Sequence, residues 1–311
     1  MVGLPQQPYQ SIPNYQSIMA QTSIQKRVFG GDYLLFGLFA FILLAGVALG
    51  VWQFWGTNLQ FNVKDLFTSE TLLFIGAGFL AQTIDGALGM AYGISSTSLL
   101  LSLGVPPAAA SASVHIAEVF TSGASGLSHW KFGNVNKKLF KLLLIPGIIG
   151  AVTGAYLLSS FDGNLIKPYI SIYLLIMGIV VIRKALGKKK AKAKTKYVGP
   201  LALLGGFIDA VGGGGWGPVV TSTLIGSGRD PRYTIGSVNT AEFFIAAAGA
   251  GMFTLMIGID NWRVIIGLLL GGVIASPFAA FVCGKVNPKI LMVIVGIVIV
   301  LLSLRNILTL F

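Results

Sequence analysis

Five ionisable side chains lie within long apolar stretches of the sequence: Asp85, His115, Glu118, Asp209 and Glu242. An ionisable group costs free energy when it is buried in hydrocarbon, so each of these residues is a candidate for function. The four carboxyl groups could carry protons, or they could accept hydrogen bonds from exposed backbone and brace it. His115 and Glu118 are three residues apart and share one face of a helix, where His115 could bind a proton or contact a ligand.

Glycine-rich breaks follow two of these residues. The first break runs from Asp85 to Gly93, and the second runs from Asp209 to Pro218 with four successive glycines at 212–215. Glycine lets backbone N–H groups turn toward a ligand without obstruction by a Cβ atom. Two short helices that begin at such breaks would aim their positive dipole ends at one point and could bind an anion there. A nucleotide-binding loop is a poor alternative, because the sequence has no GxxxxGKS or GxxxxGKT motif.

We expect the anion site to include glycines of both breaks, neighbouring aromatic and hydroxyl side chains, and two residues of the helices that follow. These residues are Tyr92, Gly93, Ser95, Thr97, His115, Gly213, Gly214, Gly215, Trp216, Gly217, Thr221 and Asn239. The carboxyl groups of Asp85, Glu118, Asp209 and Glu242 are assigned to proton coupling or to bracing. The sequence indicates no catalytic residues, no metal ligands and no cofactor, since the chain has only two histidines and one cysteine.

The composition places these residues in a membrane protein. Hydrophobic residues occupy 54% of the 311 positions and charged residues only 10%, whereas soluble proteins have about 25% charged residues. A membrane-spanning helix needs ~20 mostly apolar residues, so the chain could supply roughly eight of them. We therefore predict an all-α polytopic membrane protein.

An internal duplication organises the chain. At a spacing of 124 residues, identical residues recur without a gap over more than thirty positions, including the pairs Asp85–Asp209, Gly93–Gly217, Thr97–Thr221, Pro107–Pro231 and Glu118–Glu242. Each copy is predicted to contain five helical segments, of which the second has 11 residues, at 94–104 and at 218–228. That length is about 16 Å, half of the ~30 Å hydrocarbon core, so the first two segments form a broken helix pair or a re-entrant hairpin.

Basic residues orient the two copies in the membrane. Eight of the 22 basic residues lie between 183 and 196, and four more lie between 131 and 141. Loops of this kind face the cytoplasm. In the second copy the basic residues follow different segments, so we predict that the two copies are inverted. Because the basic residues cluster in these loops, the net charge of +12 does not indicate nucleic-acid binding.

The predicted organisation has five parts. They are a polar N-terminal tail (1–28), an extra transmembrane helix with an external loop (29–68), inverted repeat 1 (69–187), a basic cytoplasmic linker (188–197) and inverted repeat 2 (198–311). Inverted repeats with broken helices are typical of secondary transporters, which hold their substrate between the repeats.

The duplicated unit and its motifs resemble the sulfite exporter TauE/SafE family. The resemblance covers residues 71–310 and rests on the break from Gly212 to Pro218, on Ser237-Val238-Asn239-Thr240 with Glu242, and on the stretch from Ser128 to Val135. It implies the export of sulfite, sulfoacetate or other organosulfonates across a bacterial inner membrane by a multi-pass protein, with coupling to protons.

Two other classes of protein stay open at this point. A passive anion channel would share the site at the helix ends but would not need the carboxyl groups. A membrane-embedded enzyme could use His115 and Glu118 as an acid–base pair, although no nucleophile or metal set accompanies them. The expected partners of the transporter are a small anion, protons, the lipid bilayer and, in a homodimer, a second copy of the chain; nucleic acid is not expected.

The basic linker and the carboxyl end are expected on opposite sides of the membrane. In a Cys283→Ser background, an impermeant maleimide should label Lys190→Cys only from the cytoplasmic side, because basic loops stay inside. Phe311→Cys should be labelled only from the external side. Right-side-out and inverted vesicles provide the two orientations. Labelling of both positions from one side would exclude the inverted arrangement.

Overall fold

The structure, a computed structural model, describes residues 37, 41, 68–88, 90–187, 197–258, 261–285 and 288–309. Regular secondary structure in these ranges is entirely helical, which confirms the predicted all-α class. Contacts divide the chain into two units, 1–49 and 50–311, and every helix below belongs to the second. The predicted tail, extra helix and basic linker lie outside the described residues, apart from positions 37, 41, 68 and 197.

The first copy folds into five helices: α1 (Ser69–Leu88), α2 (Tyr92–Ser102), α3 (Pro107–Lys131), α4 (Lys137–Ser160) and α5 (Gly163–Leu186). Pro107 occupies the first turn of α3, where its missing N–H costs no hydrogen bond. The Asn136 side chain caps α4 by accepting from Lys138 N and Leu139 N at 3.1 and 3.0 Å. Helix α2 has the predicted 11 residues but begins two residues earlier than expected.

The second copy has corresponding elements in the same order. They are α6 (Val198–Gly212), a π-helical turn (Gly217–Thr221) that continues into α7 (Ser222–Gly226), α8 (Pro231–Ile257), α9 (Trp262–Lys285) and α10 (Pro288–Leu308). Pro231 again opens the long helix after the short one, and the Asp230 side chain caps it by accepting from Arg232 N at 2.8 Å. Helix α6 continues through Gly212, so the first of the four successive glycines is helical.

Four helices in the described part of the chain are long and apolar enough to cross a membrane: Lys137–Ser160, Gly163–Leu186, Pro231–Ile257 and Lys289–Leu308. Large apolar side chains on these helices face outward; Ile145, Leu255 and Leu301 are 61%, 84% and 60% exposed. Polar residues such as His115 and Ser237 are instead fully buried. An apolar exterior around a polar interior suits lipid, which is as apolar as the side chains that face it.

Helices of the first copy pack against helices of the second copy. Helix α1 lies against α9 and α4 lies against α6, while α3 pairs with α8 and α5 pairs with α10. Glycines let the backbones approach closely. A Cβ atom on Gly271 would lie 2.1 Å from the Ile75 carbonyl oxygen, and one on Gly150 would lie 2.1 Å from that of Leu203. The duplication in the sequence therefore extends to the packing of the helices.

The two breaks touch through their backbones. A Cβ atom on Gly214 would lie 2.2 Å from the Gly93 carbonyl carbon, and one on Gly217 would lie 2.7 Å from Met90 Cα. Met90 and Gly214 are equivalent positions of the repeat, and so are Gly93 and Gly217. The same contact therefore occurs twice, with the roles of the two copies exchanged. Gly214 also has φ +145°, a conformation that L side chains rarely adopt.

Gly214→Ala should lower the stability of the protein by about 2–6 kcal/mol, because overpacking and backbone strain each cost about 1–3 kcal/mol. Thermal unfolding in detergent, followed by tryptophan fluorescence, measures the effect. Gly76→Ala is the matched control, since nothing lies within 4 Å of a Cβ atom at that position of α1. Its unfolding midpoint should stay the same or rise slightly. An unchanged midpoint for Gly214→Ala would contradict the backbone contact.

Candidate functional site

A cavity of about 310 Å³ lies between the two breaks and the helix pair α3 and α8. The break regions line it with Asp85, Met90, Tyr92, Gly93 and Ile94 in the first copy and with Asp209, Gly215, Gly217 and Pro218 in the second. Helices α1, α3 and α8 add Gln82, Glu118, Thr121, Ser122, Ser125, His129, Ile235, Asn239 and Glu242. A volume of this size suits a small ligand.

In the first break, the Asp85 side chain holds the turn that leads into α2. Its Oδ1 atom accepts hydrogen bonds from Ala91 N at 2.8 Å and from Tyr92 N at 3.2 Å. The first N–H groups of a helix have no partner within the helix, and the helix dipole favours negative charge beside them. The Asp85 carboxylate, on the last turn of α1, therefore caps the start of the next helix.

Asp209 makes the same pair of bonds in the second break. Its Oδ1 atom accepts from Gly215 N at 2.7 Å and from Trp216 N at 2.8 Å, at positions equivalent to those in the first copy. Two N–H groups that we expected to face an anion are thus engaged by a carboxylate of the protein itself. This geometry is the one that the bracing alternative describes, and a proton-coupling role for Asp85 and Asp209 stays a prediction.

Carbonyl groups of the second break find partners on helices of the first copy. The Thr97 hydroxyl of α2 donates to the Gly213 carbonyl. The Tyr173 hydroxyl of α5 donates to the Gly214 carbonyl at 2.7 Å. Gly213 has φ +65°, the left-handed conformation that ends α6. Thr97 therefore supports the shape of the break instead of facing the cavity.

Four carboxyl groups face the same cavity: Asp85, Glu118, Asp209 and Glu242. No lysine or arginine occurs among the described residues that line it. Glu118 is 5% exposed, and its Oε2 atom has no hydrogen-bond partner in the described part of the chain. Because fully ionised carboxyl groups would repel an anion, anion binding here requires neutralisation by protons or by a cation.

His115 lies beside the cavity without lining it and is completely buried. Its Nδ1 atom is 2.9 Å from the Ser111 carbonyl oxygen, and its Nε2 atom is 3.3 Å from Asp209 Oδ2. Ligand atoms of His115, Glu118 and Asp209 lie within 4.8 Å of one another, a group that could hold a metal ion. The sequence indicated no metal ligands, because only the fold brings Asp209 next to the other two residues.

Nine of the residues singled out from the sequence line the cavity: Asp85, Tyr92, Gly93, Glu118, Asp209, Gly215, Gly217, Asn239 and Glu242. Seven do not line it: Ser95, Thr97, His115, Gly213, Gly214, Trp216 and Thr221. The Ser95 hydroxyl donates to the carbonyl of Ala91, the residue that precedes α2, and Thr221 is fully buried.

Trp216 is predicted to contact the anion, but the structure places its indole in the helix packing. The side chain is 0% exposed, and its Nε1 atom donates to the Val238 carbonyl at 3.4 Å. Cβ atoms on Gly147 of α4 and Gly205 of α6 would lie 3.1 and 3.4 Å from the ring, so these glycines make room for it. At the equivalent position of the first break, Tyr92 lines the cavity.

Four residues of a polar stripe on α3 are the main feature that sequence reasoning missed: Thr121, Ser122, Ser125 and His129. Glu118, Thr121, Ser122, Ser125 and His129 follow the spacing of one helix face, and all five line the cavity. The spacing is visible in the sequence and is the signal that could have found them. The other lining residues outside the prediction are Gln82, Met90, Ile94, Pro218 and Ile235.

Comparisons with known proteins agree with this architecture. The family model described as "Sulfite exporter TauE/SafE" matches residues 74–306. The chain is 47% identical over 247 residues to "Probable membrane transporter protein YtnM" of Bacillus subtilis (strain 168), a match that covers 76% of this chain and 82% of that protein. It is 28% identical over 219 residues to "Probable membrane transporter protein ORF9" of Sinorhizobium sp, over 67% of this chain and 80% of that protein.

No solved structure matches the chain significantly. The family model nevertheless spans most of the sequence, from α1 to α10, and includes both breaks and every residue that lines the cavity. The chain therefore belongs to the TauE/SafE sulfite exporter family of membrane transporters.

Proposed function

We propose that the protein exports a small sulfur-containing anion, such as sulfite, sulfoacetate or another organosulfonate, across the bacterial inner membrane with coupling to protons. The observation that carries this proposal is a cavity lined by both breaks and by hydroxyl, amide and carboxyl side chains. The description of the family as a sulfite exporter supports the class of substrate. A cavity of about 310 Å³ is large enough for an anion of this size.

Hydrogen-bond donors for the anion come from backbone and side chains. Gly93 and Ile94 belong to the first turn of α2 and line the cavity, and N–H groups at such a helix start favour oxyanions. Asn239 Nδ2 donates to Ser125 Oγ at 2.8 Å, so the Ser125 hydroxyl can donate its own hydrogen to the anion. The oxygens of sulfite and of sulfonates accept such bonds.

Proton coupling follows from the carboxyl groups around the cavity. An anion 4 Å from an ionised carboxylate is repelled by about 4 kcal/mol at an effective dielectric constant of about 20. Glu118 and Glu242 occupy equivalent positions on α3 and α8, so either group can relieve this repulsion by binding a proton. Anion binding and proton binding then favour each other by linkage.

The exchanged packing of the two copies supports an inverted-repeat transporter. Helix α1 of the first copy packs on α9 of the second, and α4 of the first copy packs on α6 of the second. In both pairs, the first segment of one copy contacts the fourth segment of the other. In transporters of this kind, one repeat moves against the other around a fixed site, and each side of the membrane gains access in turn. The cavity between the two breaks is the site that we propose for this movement.

A passive anion channel is the second candidate. A membrane potential that is negative inside drives an anion outward at ~2.3 kcal/mol per charge per 100 mV, so export does not require coupling on energetic grounds. The four carboxyl groups favour the coupled transporter, because an acidic lining hinders the passage of anions through an open pore.

In proteoliposomes, the protein should move sulfite and sulfoacetate at least about tenfold faster than protein-free vesicles, and faster than taurine, which carries no net charge. With the membrane potential clamped at zero, a pH gradient alone should drive net flux of the anions. Flux that responds to the potential but ignores the pH gradient would favour the channel. Failure to move any sulfur-containing anion would overturn the proposed function.

Glu242→Gln should flatten the pH dependence of sulfoacetate binding. In the unaltered protein, one linked proton makes the Kd rise about tenfold per pH unit, because deprotonation restores the repulsion. Calorimetric titrations at several pH values around neutrality measure the slope. Glu70→Gln is the matched control, since it makes the same chemical change at a side chain that is 63% exposed on α1. An unaltered slope in Glu242→Gln would show that Glu242 does not couple protons to the anion.

A further inference from the structure

We propose that His115, Glu118 and Asp209 bind a divalent transition metal ion, with Zn²⁺ the best fit, beside the anion cavity. We further propose that the transported anion occupies the open coordination position of this ion. The anion contact rests on the proposed function, whereas the metal site itself does not.

The hydrogen bonds of His115 determine which ring nitrogen is available to a metal. Nδ1 lies 2.9 Å from the Ser111 carbonyl oxygen, which can only accept, so Nδ1 carries the hydrogen. This leaves Nε2 as the ring nitrogen that faces Asp209 Oδ2, at 3.3 Å. A proton or a metal ion between these two atoms would satisfy both of them. Metal-binding histidines make the same backbone bond through their other nitrogen.

The three ligand atoms converge in the buried interior beside the cavity. His115, Asp209 and Glu118 are 0%, 2% and 5% exposed, and one ligand atom from each lies within 4.8 Å of the others. Within the described ranges, His115 Nε2 and Glu118 Oε2 have no hydrogen-bond partner. Buried carboxylates require a partner charge or a metal ion, and a divalent ion would neutralise two of them.

Among the described residues, the contacts of the histidine ring include no lysine or arginine. On α8 the ring packs against Gly249 and against the edge of Phe253, at a centroid distance of 5.7 Å. Glu242 of α8 and Asp85 of α1 face the neighbouring cavity and are acidic. These neighbouring carboxyl groups make the local charge negative when they are ionised, which favours the binding of a cation.

The geometry fits a zinc ion with three protein ligands. Zinc bonds of ~2.0–2.1 Å at the tetrahedral angle separate two ligand atoms by about 3.3 Å, which matches the distance from His115 Nε2 to Asp209 Oδ2. Glu118 can close on the ion by rotation of its flexible side chain. A set of one imidazole and two carboxylates suits Zn²⁺ better than Ca²⁺ or Mg²⁺, which prefer oxygen ligands alone.

Asp209 is oriented for this role by its second oxygen. Oδ1 accepts hydrogen bonds from Gly215 N and Trp216 N, which leaves Oδ2 directed toward His115. Hydrogen bonds of this kind fix the direction of a metal ligand and are part of a metal site. The same aspartate would therefore join the metal ion to the shape of the second break.

The open position of the ion would face the anion cavity. Glu118 and Asp209 line the cavity and His115 does not, so an ion held by all three lies between the imidazole ring and the cavity. Zinc with three protein ligands keeps a fourth position for water or for a substrate. The second copy has Asn239 in place of His115, so we expect one ion per chain.

Cobalt(II) tests the site in the full-length protein, purified with an affinity tag that lacks histidine. Titration of metal-free protein with Co²⁺ alone should produce the visible absorption bands of four-coordinate cobalt at one equivalent, and Zn²⁺ should displace it. His115→Asn, which introduces the residue of the equivalent position, should abolish the bands. It should also weaken Zn²⁺ binding more than about 100-fold, since even the loss of a residue that supports a ligand costs about 10–100-fold.

Two further variants control for other acidic groups and for the other histidine. Glu242→Gln and His129→Asn should keep the cobalt bands, whereas Glu118→Gln should weaken binding, and thermal unfolding checks that each variant is folded. The proposal is wrong if the unaltered protein gives no four-coordinate cobalt spectrum at one equivalent, or if His115→Asn retains it.

Adding sulfoacetate to the cobalt-loaded protein separates the two parts of the proposal. A shift of the bands that saturates with the anion would support binding at the open position, and unchanged bands would overturn that contact. A cobalt site in a protein that moves no anion in proteoliposomes would support the metal site while the proposed function fails.

Discussion

Asp85 and Asp209 each present one carboxylate oxygen to two backbone N–H groups at the start of the following helical segment. In hydrocarbon, a backbone N–H group without an acceptor costs several kcal/mol, so a helix can break inside a membrane only where its donors are satisfied. These bonds fix where α2 and the π-helical turn begin. The positions at which the two breaks can touch, and the cavity between them, depend on those starting points.

The site belongs to neither copy alone. The contact between Gly93 and Gly214 brings the backbones of the two breaks together, and hydroxyl groups of Thr97 and Tyr173 from the first copy satisfy carbonyls of the second. A ligand in the cavity would therefore contact both halves of the chain at once. This arrangement suits a protein in which movement of one half against the other changes access to a substrate.

The helical class, the duplication and the short second helix of each copy could be predicted, because apolar content and repeated spacing encode them directly. The lining of the cavity could be predicted only in part. Trp216 packs against Gly147 and Gly205, and this placement depends on two other helices that no local pattern reveals. The approach of His115 to Asp209 likewise arises from the packing of α3 against α6. The polar stripe on α3 is different, since helical spacing alone is enough to identify it.

The hydroxyl of Tyr173 has a consequence for the free-energy balance between conformations. The residue 124 positions further along the chain, Ile297, has a side chain that cannot donate a hydrogen bond. Two identical halves would give inward-open and outward-open states of equal free energy, since each state would be the other with the halves exchanged. A hydrogen bond of about 1 kcal/mol on one side alone changes the ratio of two such states about fivefold. In an inverted-repeat transporter of the proposed kind, such a one-sided bond would favour one of the two orientations of the empty protein.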